Sequence, residues 1–429
     1  MKKKIFSALK IYLDSWKIPQ VRKKLLFTLL ILLVYRLVVH IPAPGVKTEI
    51  LQSFFAQNQF LALLDMFSGG TLANFSIAAL GITPYINASV MFQLLGFVFP
   101  ALKQLQQEGE YGRQKIALYT RLTTIPLAVL QSFGMYALLR SQGIIDSLSI
   151  PYLIAFVLTM TAGTALLLFF GELINQYGIG NGISLLIFAG IVSRYPVSLF
   201  KSLSVASQDN VFGLLVFIAM SLGVVGGITF VDEAFLKVPI RYARRAKRGT
   251  SSQESYLPLK INSAGVMPII FALSLVSLPQ LLGRFLGQVK VENLAGFGQK
   301  LAGAFEINGL AYSLFYFLFV VAFAYLYTTV VFNPKEVAEN LRKSGGFIPG
   351  VRPGVSTEKK ISYLLSRVTA AGAIFLGVIA ILPALSQRAT NLSTISLGGT
   401  GILIVVSVVL ELHRLLENLV QTWRYQNYS

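Results

Sequence analysis

The sequence predicts an all-α integral membrane protein with ten transmembrane helices in two five-helix halves. Three observations carry that prediction. The 429 residues are 54% apolar and only 13% charged, about half the charged share of an ordinary soluble domain. Ten stretches approach or exceed the roughly 20 apolar residues that a span needs. The formal net charge is +19, from 37 Lys+Arg against 18 Asp+Glu, and the basic residues concentrate in alternate gaps between the apolar stretches. A soluble nucleic-acid binder accounts for the charge but not for the apolar content. A multi-pass protein with basic loops accounts for both.

Behind the Met-Lys-Lys-Lys start, Ile5, Phe6, Leu9, Leu13 and Trp16 fall near helical spacing. Residues 4–18 therefore read as an amphipathic helix on the membrane surface, with a frayed basic tail as the alternative. Lys10, Asp14 and Lys17 interrupt any signal-peptide core, and no small-residue cleavage site follows. The spans are expected at 24–41, 75–99, 115–138, 151–172, 182–197, 211–231, 263–285, 309–332, 363–384 and 397–418. Residues 1–205 form one half and residues 206–429 the other. Five spans per half is an odd number, so the halves run in opposite senses, the arrangement of an inverted repeat.

Basic residues at span edges are assigned to the adjoining gap. The N-terminus and the gaps after spans 2, 4, 6, 8 and 10 then hold 26 Lys+Arg, and the other gaps hold 8. The first set is cytoplasmic, with both termini inside. Arg36, Arg121 and Arg367 remain within spans. Arg36, near the outer end of span 1, is expected to snorkel outward, a buried pair being the alternative. Between spans 1 and 2, residues 60–73 read FLALLDMFSGGTLA. This run is too short to cross, carries Asp65 and is broken by Gly69 and Gly70. A re-entrant helix buried in protein or lining a wet cavity fits it; an outer loop with an interfacial turn is the alternative.

The spans are nearly free of acidic residues, which weighs against an ion-coupled transporter. Two histidines, His40 and His413, and no cysteine weigh against triads, thiol chemistry and metal sites. No metal or cofactor is expected. Uncharged polar residues do occur: Asn87, Ser89 and Gln93 on span 2, and Asn262 and Ser263 opening span 7. They should point inward or at one another, either as helix–helix hydrogen bonds or along a wet path. Pro84, Pro126 and Pro268 interrupt spans 2, 3 and 7 and permit bends. The run Gly178-Ile179-Gly180-Asn181-Gly182 lacks the Lys-Ser/Thr ending of a phosphate loop and has no preceding strand. A tight helical hairpin is expected there, and no direct nucleotide binding.

Two large cytoplasmic loops, 232–260 and 333–362, hold 13 basic residues between them. A topology signal needs fewer, and a basic surface of this size suits an RNA backbone or an acidic protein face. Gly345-Gly346 and the pairs Pro349-Gly350 and Pro353-Gly354 predict defined turns with Arg352 at a tip.

Several long segments, in order, closely resemble the SecY family, the central subunit of the bacterial protein-conducting channel. They are VYRLVVHIPAPG at 34–45, MFSGGTLANFSIAALGITPYINAS at 66–89, YGIGNGISLLIFAGIV at 177–192, YLPLKINSAGVMPIIFA at 256–272, FNPKEVAENLRKSGGFIPGVRPG at 332–354 and GGTGILIVV at 398–406. The resemblance implies a central pore closed outside by a plug helix. The plug matches 60–73, with Leu64, Asp65, Met66, Phe67, Ser68, Gly69, Gly70 and Thr71 at its heart. It implies a lateral gate along spans 2, 3, 7 and 8, on which Asn87, Ser89, Gln93, Asn262 and Ser263 fall. It implies an aliphatic pore ring at Ile82, Ile86, Ile187, Ile191, Ile270 and Ile404. Ile82 and Ile86 share one helical face, as do Ile187 and Ile191. It further implies docking of SecA or the ribosome on Arg241, Arg244, Arg245, Lys247, Arg248 and Arg352. SecE and SecG would be membrane partners, and signal peptides, nascent polypeptides and membrane lipid would be contacted during transport. The implied setting is the bacterial plasma membrane, with no enzyme chemistry in this chain.

Overall fold

The computed structural model describes residues 15–43, 71–72, 75–141, 143, 145, 148–205, 211–242, 255–287, 292–306, 309–390 and 399–428. Ten of its described helices fall on the predicted spans, and three shorter ones, Pro100–Gln107, Glu292–Ala304 and Pro334–Lys343, lie in the gaps between them. In chain order the first helices are α1 (Pro19–Val39), α2 (Thr83–Val98), α3 (Pro100–Gln107), α4 (Gly109–Ser141), α5 (Ile150–Tyr177), α6 (Gly182–Val205) and α7 (Val211–Glu233). After two strands, β1 (Phe235–Tyr242) and β2 (Ser255–Lys260), come α8 (Met267–Leu286), α9 (Glu292–Ala304), α10 (Leu310–Val331) and α11 (Pro334–Lys343). A two-residue β3 (Gly346–Phe347), α12 (Val355–Thr390) and α13 (Gly399–Tyr428) complete the order.

Among the described residues, Ile150–Tyr177, Leu310–Lys343 and Val355–Leu382 are individually long and apolar enough to cross a bilayer. The α2 and α3 helices form an apolar pair bent by 108°. The bend follows from Pro100, which disfavours helical backbone in the residue before it; Phe99 is extended at φ −99° and ψ 114°. Other spans carry basic residues, such as Arg36 in α1, or contain short apolar runs such as Met267–Ser277.

The chain divides into two compact units, Met1–Leu214 with Ile404–Ser429, and Leu215–Leu403. In the first, α5 packs against α1, α4 and α6. Its buried residues Phe156, Met160, Gly163, Thr164, Leu167, Phe170, Gly171 and Ile174 recur at three- and four-residue steps, one helical stripe. The Gly178–Gly182 hairpin joins α5 to α6 as expected. Gly180 has φ +76°, and the Asn181 side chain accepts from the Ile183 and Ser184 amides at 3.1 and 3.3 Å, capping α6. The Thr28 hydroxyl of α1 accepts from the Ile179 amide at 3.1 Å, and Ile179 is buried with Ile18, Val21, Leu416 and Val420. Residues 4–14 of the proposed surface helix lie outside the described residues; at its end Ile18 is buried in this cluster.

Span 2 was expected from residue 75, but α2 starts at Thr83 and residues 75–82 are turns. Here the backbone leaves helical geometry: Phe75 has φ 43° and Gly81 φ 58°. The polar backbone of this irregular segment is nonetheless paired. Ala43 N donates to Phe75 O at 2.8 Å, Ile77 N to Ile41 O at 3.0 Å and Ser76 N to Thr71 O at 3.0 Å. Pro84 therefore stands in the first turn of α2, where its missing N–H costs nothing, and Pro268 likewise stands at the start of α8. These two prolines begin helices rather than bend them; Pro126 does lie inside α4.

In the second unit α10 packs against α8 and α12. The described parts of the two large loops, expected as basic cytoplasmic loops with defined turns only at 345–354, form a folded module. β1 pairs antiparallel with β2, Phe235 opposite Lys260, and with β3, Arg241 opposite Phe347. Val238, Ile240 and Leu259 join Leu341, Ile348 and Ile361 in one apolar core. The signal was present in FLKVPIRY, where Val238 and Ile240 alternate with exposed Lys237, Pro239 and Arg241, the period of a half-buried strand.

Gly163 tests the packing of α5. A Cβ there would sit well inside contact distance of the Ile77 carbonyl and the Ala78 Cα, both backbone. Gly163→Ala is expected to destabilise the protein by about 1–3 kcal/mol, read as a lower unfolding midpoint in detergent, while Gly226→Ala, with open space around it, leaves the midpoint within about 0.5 kcal/mol.

Candidate functional site

The six ring isoleucines sit on four helices. Ile82 caps α2 and its carbonyl accepts from the Ile86 amide at 3.0 Å, so the two side chains are one turn apart on one face. Ile82, Ile187, Ile191, Ile270 and Ile404 are buried, and Ile86 is half-buried. Five belong to the first unit; Ile270, in the first turn of α8, belongs to the second. All six are aliphatic and carry no hydrogen-bonding side-chain group, so wherever they face a passage they offer an ion no ligand.

The entry to α2 is held from behind. Phe75 is fully buried and stacks on Phe156 of α5 at 5.8 Å. Positive φ is uncommon for a bulky residue, and this contact accompanies it here. Thr71 is buried, and its hydroxyl donates to the Ala79 carbonyl at 3.3 Å. The other core plug residues, Leu64, Asp65, Met66, Phe67, Ser68, Gly69 and Gly70, lie outside the described residues.

Arg36 does not snorkel. Its guanidinium reaches from α1 to α6 and donates to the carbonyls of Ala189 and Gly190, the latter at 3.2 Å. A helical carbonyl has a second lone pair beyond its ladder bond, and the small Ala189 and Gly190 leave those oxygens accessible. The contact falls between Ile187 and Ile191. Periodicity could not have found it, because the acceptors are backbone atoms 153 and 154 residues away.

Of the residues on the expected gate, Asn87, Ser89 and Gln93 are half-buried on α2. Asn262 and Ser263 precede α8 rather than opening it, because Gly265 at φ 64° turns the chain before the helix starts. The Asn262 amide donates to Asp232 at the end of α7 at 2.6 Å, and Ser263 donates to the Lys260 carbonyl at 2.9 Å. A second unforeseen pair joins two spans: Arg121 of α4 meets Glu172 of α5 at 2.7 Å.

The docking residues divide similarly. Arg241 is exposed next to the end of β1, and Arg352 is exposed on the turn after β3. Gly350 at φ 77° and Gly354 at φ 100° bracket that turn, and the Thr357 hydroxyl donates to the Arg352 carbonyl at 3.0 Å. Ile348 anchors it in the module core. Arg244, Arg245, Lys247 and Arg248 lie outside the described residues.

Comparison with known proteins gives a consistent result. A family model described as SecY matches residues 76–413. The protein translocase subunit SecY of Streptomyces scabiei is 40% identical over 438 residues, covering 96% of this chain and 98% of that one. A solved structure described as that of a protein conducting channel superposes with a TM-score of 0.63 at 18% identity, covering 92% of each chain. Sec61 in the canine ribosome-channel complex from the endoplasmic reticulum superposes at 0.59 with 16% identity, again covering 92% of each.

Replacing Arg36 by Leu removes the donors to α6 and is expected to cost about 1.5–3 kcal/mol, the range for hydrogen bonds to a charged group. Arg36→Lys, which retains a cationic donor, should recover part of this. Unfolding midpoints of the purified variants check it, and a Leu variant as stable as the parent removes the bridging role.

Proposed function

The chain belongs to the SecY family and is a protein-conducting channel, and we propose that its six isoleucines form the seal through which unfolded secretory chains pass. The observation that carries this reading is a match to translocase subunits at 40% identity over nearly the whole chain. The chemistry supports the assignment of the ring. A passage for unfolded polypeptide must accept every side chain, so a specific binding site would obstruct it. It must also block ions at rest. A narrow aliphatic neck satisfies both demands, because it sheds water and gives ions nothing to replace their hydration.

The remaining parts follow from that core. Residues 60–73 act as the plug on the outer side of the ring. Apolar segments of a passing chain leave sideways between spans 2 and 3 and spans 7 and 8, where Asn87, Ser89 and Gln93 give the gate a polar lining that favours closure in lipid, with Asn262 and Ser263 at the approach to span 7 and bonded to Asp232 and Lys260. SecA or the translating ribosome supplies the energy and docks on the basic module at Arg241, Arg244, Arg245, Lys247, Arg248 and Arg352. The rigid seat of Arg352 supports this, since a fixed turn presents one charge in one place. SecE and SecG are its membrane partners, and the setting is the bacterial plasma membrane with both termini cytoplasmic. The two five-span halves, 1–205 and 206–429, are the leaves that separate when the gate opens.

Two outcomes check the reading. Replacing three or more ring isoleucines with Gly or Ser should raise resting ion conductance of reconstituted vesicles several-fold, and unchanged conductance would count against the seal. Arg352→Glu should reduce SecA-driven export at least about tenfold while the protein accumulates normally; export at the parental rate removes the docking role of that residue.

A further inference from the structure

Helices α4 and α5 leave an open groove of about 190 Å³ between them, separate from the ring and from the basic module. Arg121, Thr124 and Ala128 line it from α4, and Thr164, Ala165 and Glu172 from α5. The Arg121–Glu172 pair closes one end at 2.7 Å, yet the two side chains remain 44% and 32% exposed. Glu172 stands five residues, roughly 8 Å, before the end of α5. In the topology proposed above, this is the cytoplasmic end of a span. Charges exposed within a span are costly unless a polar group reaches them.

A second observation lies deeper in the same groove. Thr164 is buried and its hydroxyl has no hydrogen-bond partner. Its neighbours behave differently: Thr124 donates to the Thr120 carbonyl at 2.7 Å and Thr161 to the Val157 carbonyl at 2.8 Å. A buried hydroxyl with a free donor is expensive, and Thr164 stands on the groove wall. It is eight residues from Glu172, roughly 12 Å along the helix. Between them the wall is small and apolar at Ala165, opposite Ala128 on α4.

The volume selects among occupants. A helix with its side chains is about 10–12 Å wide, so a 12 Å length of one fills on the order of 1,000 Å³. The groove is too small for that and suits the glycerol linkage of one lipid with the first few methylenes of its chain. Charge complementarity selects the headgroup. A phosphate matches the guanidinium, and an ammonium matches the carboxylate beside it. An anionic lipid with an uncharged glycerol headgroup satisfies Arg121 and is repelled by Glu172.

We propose that this groove is a binding site for one zwitterionic, amine-bearing phospholipid. Its phosphate rests on Arg121 and its ammonium on Glu172. An ester carbonyl accepts from the Thr164 hydroxyl, the glycerol linkage lies along Ala128 and Ala165, and the acyl chain runs on past Thr161. The site depends on the membrane topology proposed above but not on the ring, the plug or the docking residues.

The test uses the full chain in vesicles of phosphatidylethanolamine and phosphatidylglycerol, doped with either lipid carrying a photoactivatable acyl chain. Labelled residues are mapped by mass spectrometry. The ethanolamine probe should label the groove segments of α4 and α5 at least about fivefold more than the glycerol probe. Ala165→Phe, at an exposed position, should fill the groove and abolish that labelling. Thr164→Val, nearly isosteric, should reduce it several-fold, and Glu172→Gln should erase the headgroup preference. Equal labelling by both probes, or labelling indifferent to both Ala165→Phe and Thr164→Val, overturns the proposal. So does a crosslink from cysteine at 128 or 165 to another protein chain in place of lipid. Ring-variant conductance in the same vesicles reports on the channel reading separately.

Discussion

Irregular backbone cannot face lipid, because no water is present there to satisfy its N–H and C=O groups. The first unit of this protein is organised around meeting that constraint at residues 75–82. The chain leaves helical geometry there, with Phe75 at φ 43° and Gly81 at φ 58°, immediately before the helix carrying Ile82 and Ile86. Three elements shield it. The chain just after α1 pairs with it through Ile41 and Ala43. Phe156 stacks on Phe75. Gly163 lets α5 approach the Ile77 carbonyl directly. The start of α2 is thereby set by α5, which itself packs on α1, α4 and α6.

The same need recurs as single contacts elsewhere in that unit. Arg36 spends its donors on helical carbonyls of α6, so a charge inside a span becomes a link between spans. Thr28 satisfies both the Lys24 carbonyl and the Ile179 amide, tying α1 to the hairpin before α6. The helix that carries Ile187 and Ile191 is thus held by α1 at two levels. A seal of non-directional aliphatic contacts needs such directional neighbours, because apolar packing alone sets no register.

The cytoplasmic module solves a different problem. A basic loop repels itself and stays mobile unless something apolar holds it. Here Val238, Ile240 and Leu259 from one loop and Leu341, Ile348 and Ile361 from the region of the other form a common core. The charge remains outside on a fixed frame, with Arg352 exposed on a turn bracketed by Gly350 and Gly354. This distinguishes the loops from simple topology signals, for which charge without shape is enough.

Sequence alone determined the membrane class, the ten spans and the hairpin at Gly178–Gly182, because each is a local property: apolar length, charge placement and turn chemistry. The motif match carried the family as well. The partner of Arg36, the late start of α2, the Arg121–Glu172 pair and the merging of two loops were decided only by tertiary structure. Each depends on groups far apart in the chain, and several of the acceptors are backbone carbonyls, which every residue possesses. Pro84 and Pro268 show the difference most simply. A proline in an apolar run reads as a bend, but whether it bends a helix or begins one depends on where the preceding turn is held.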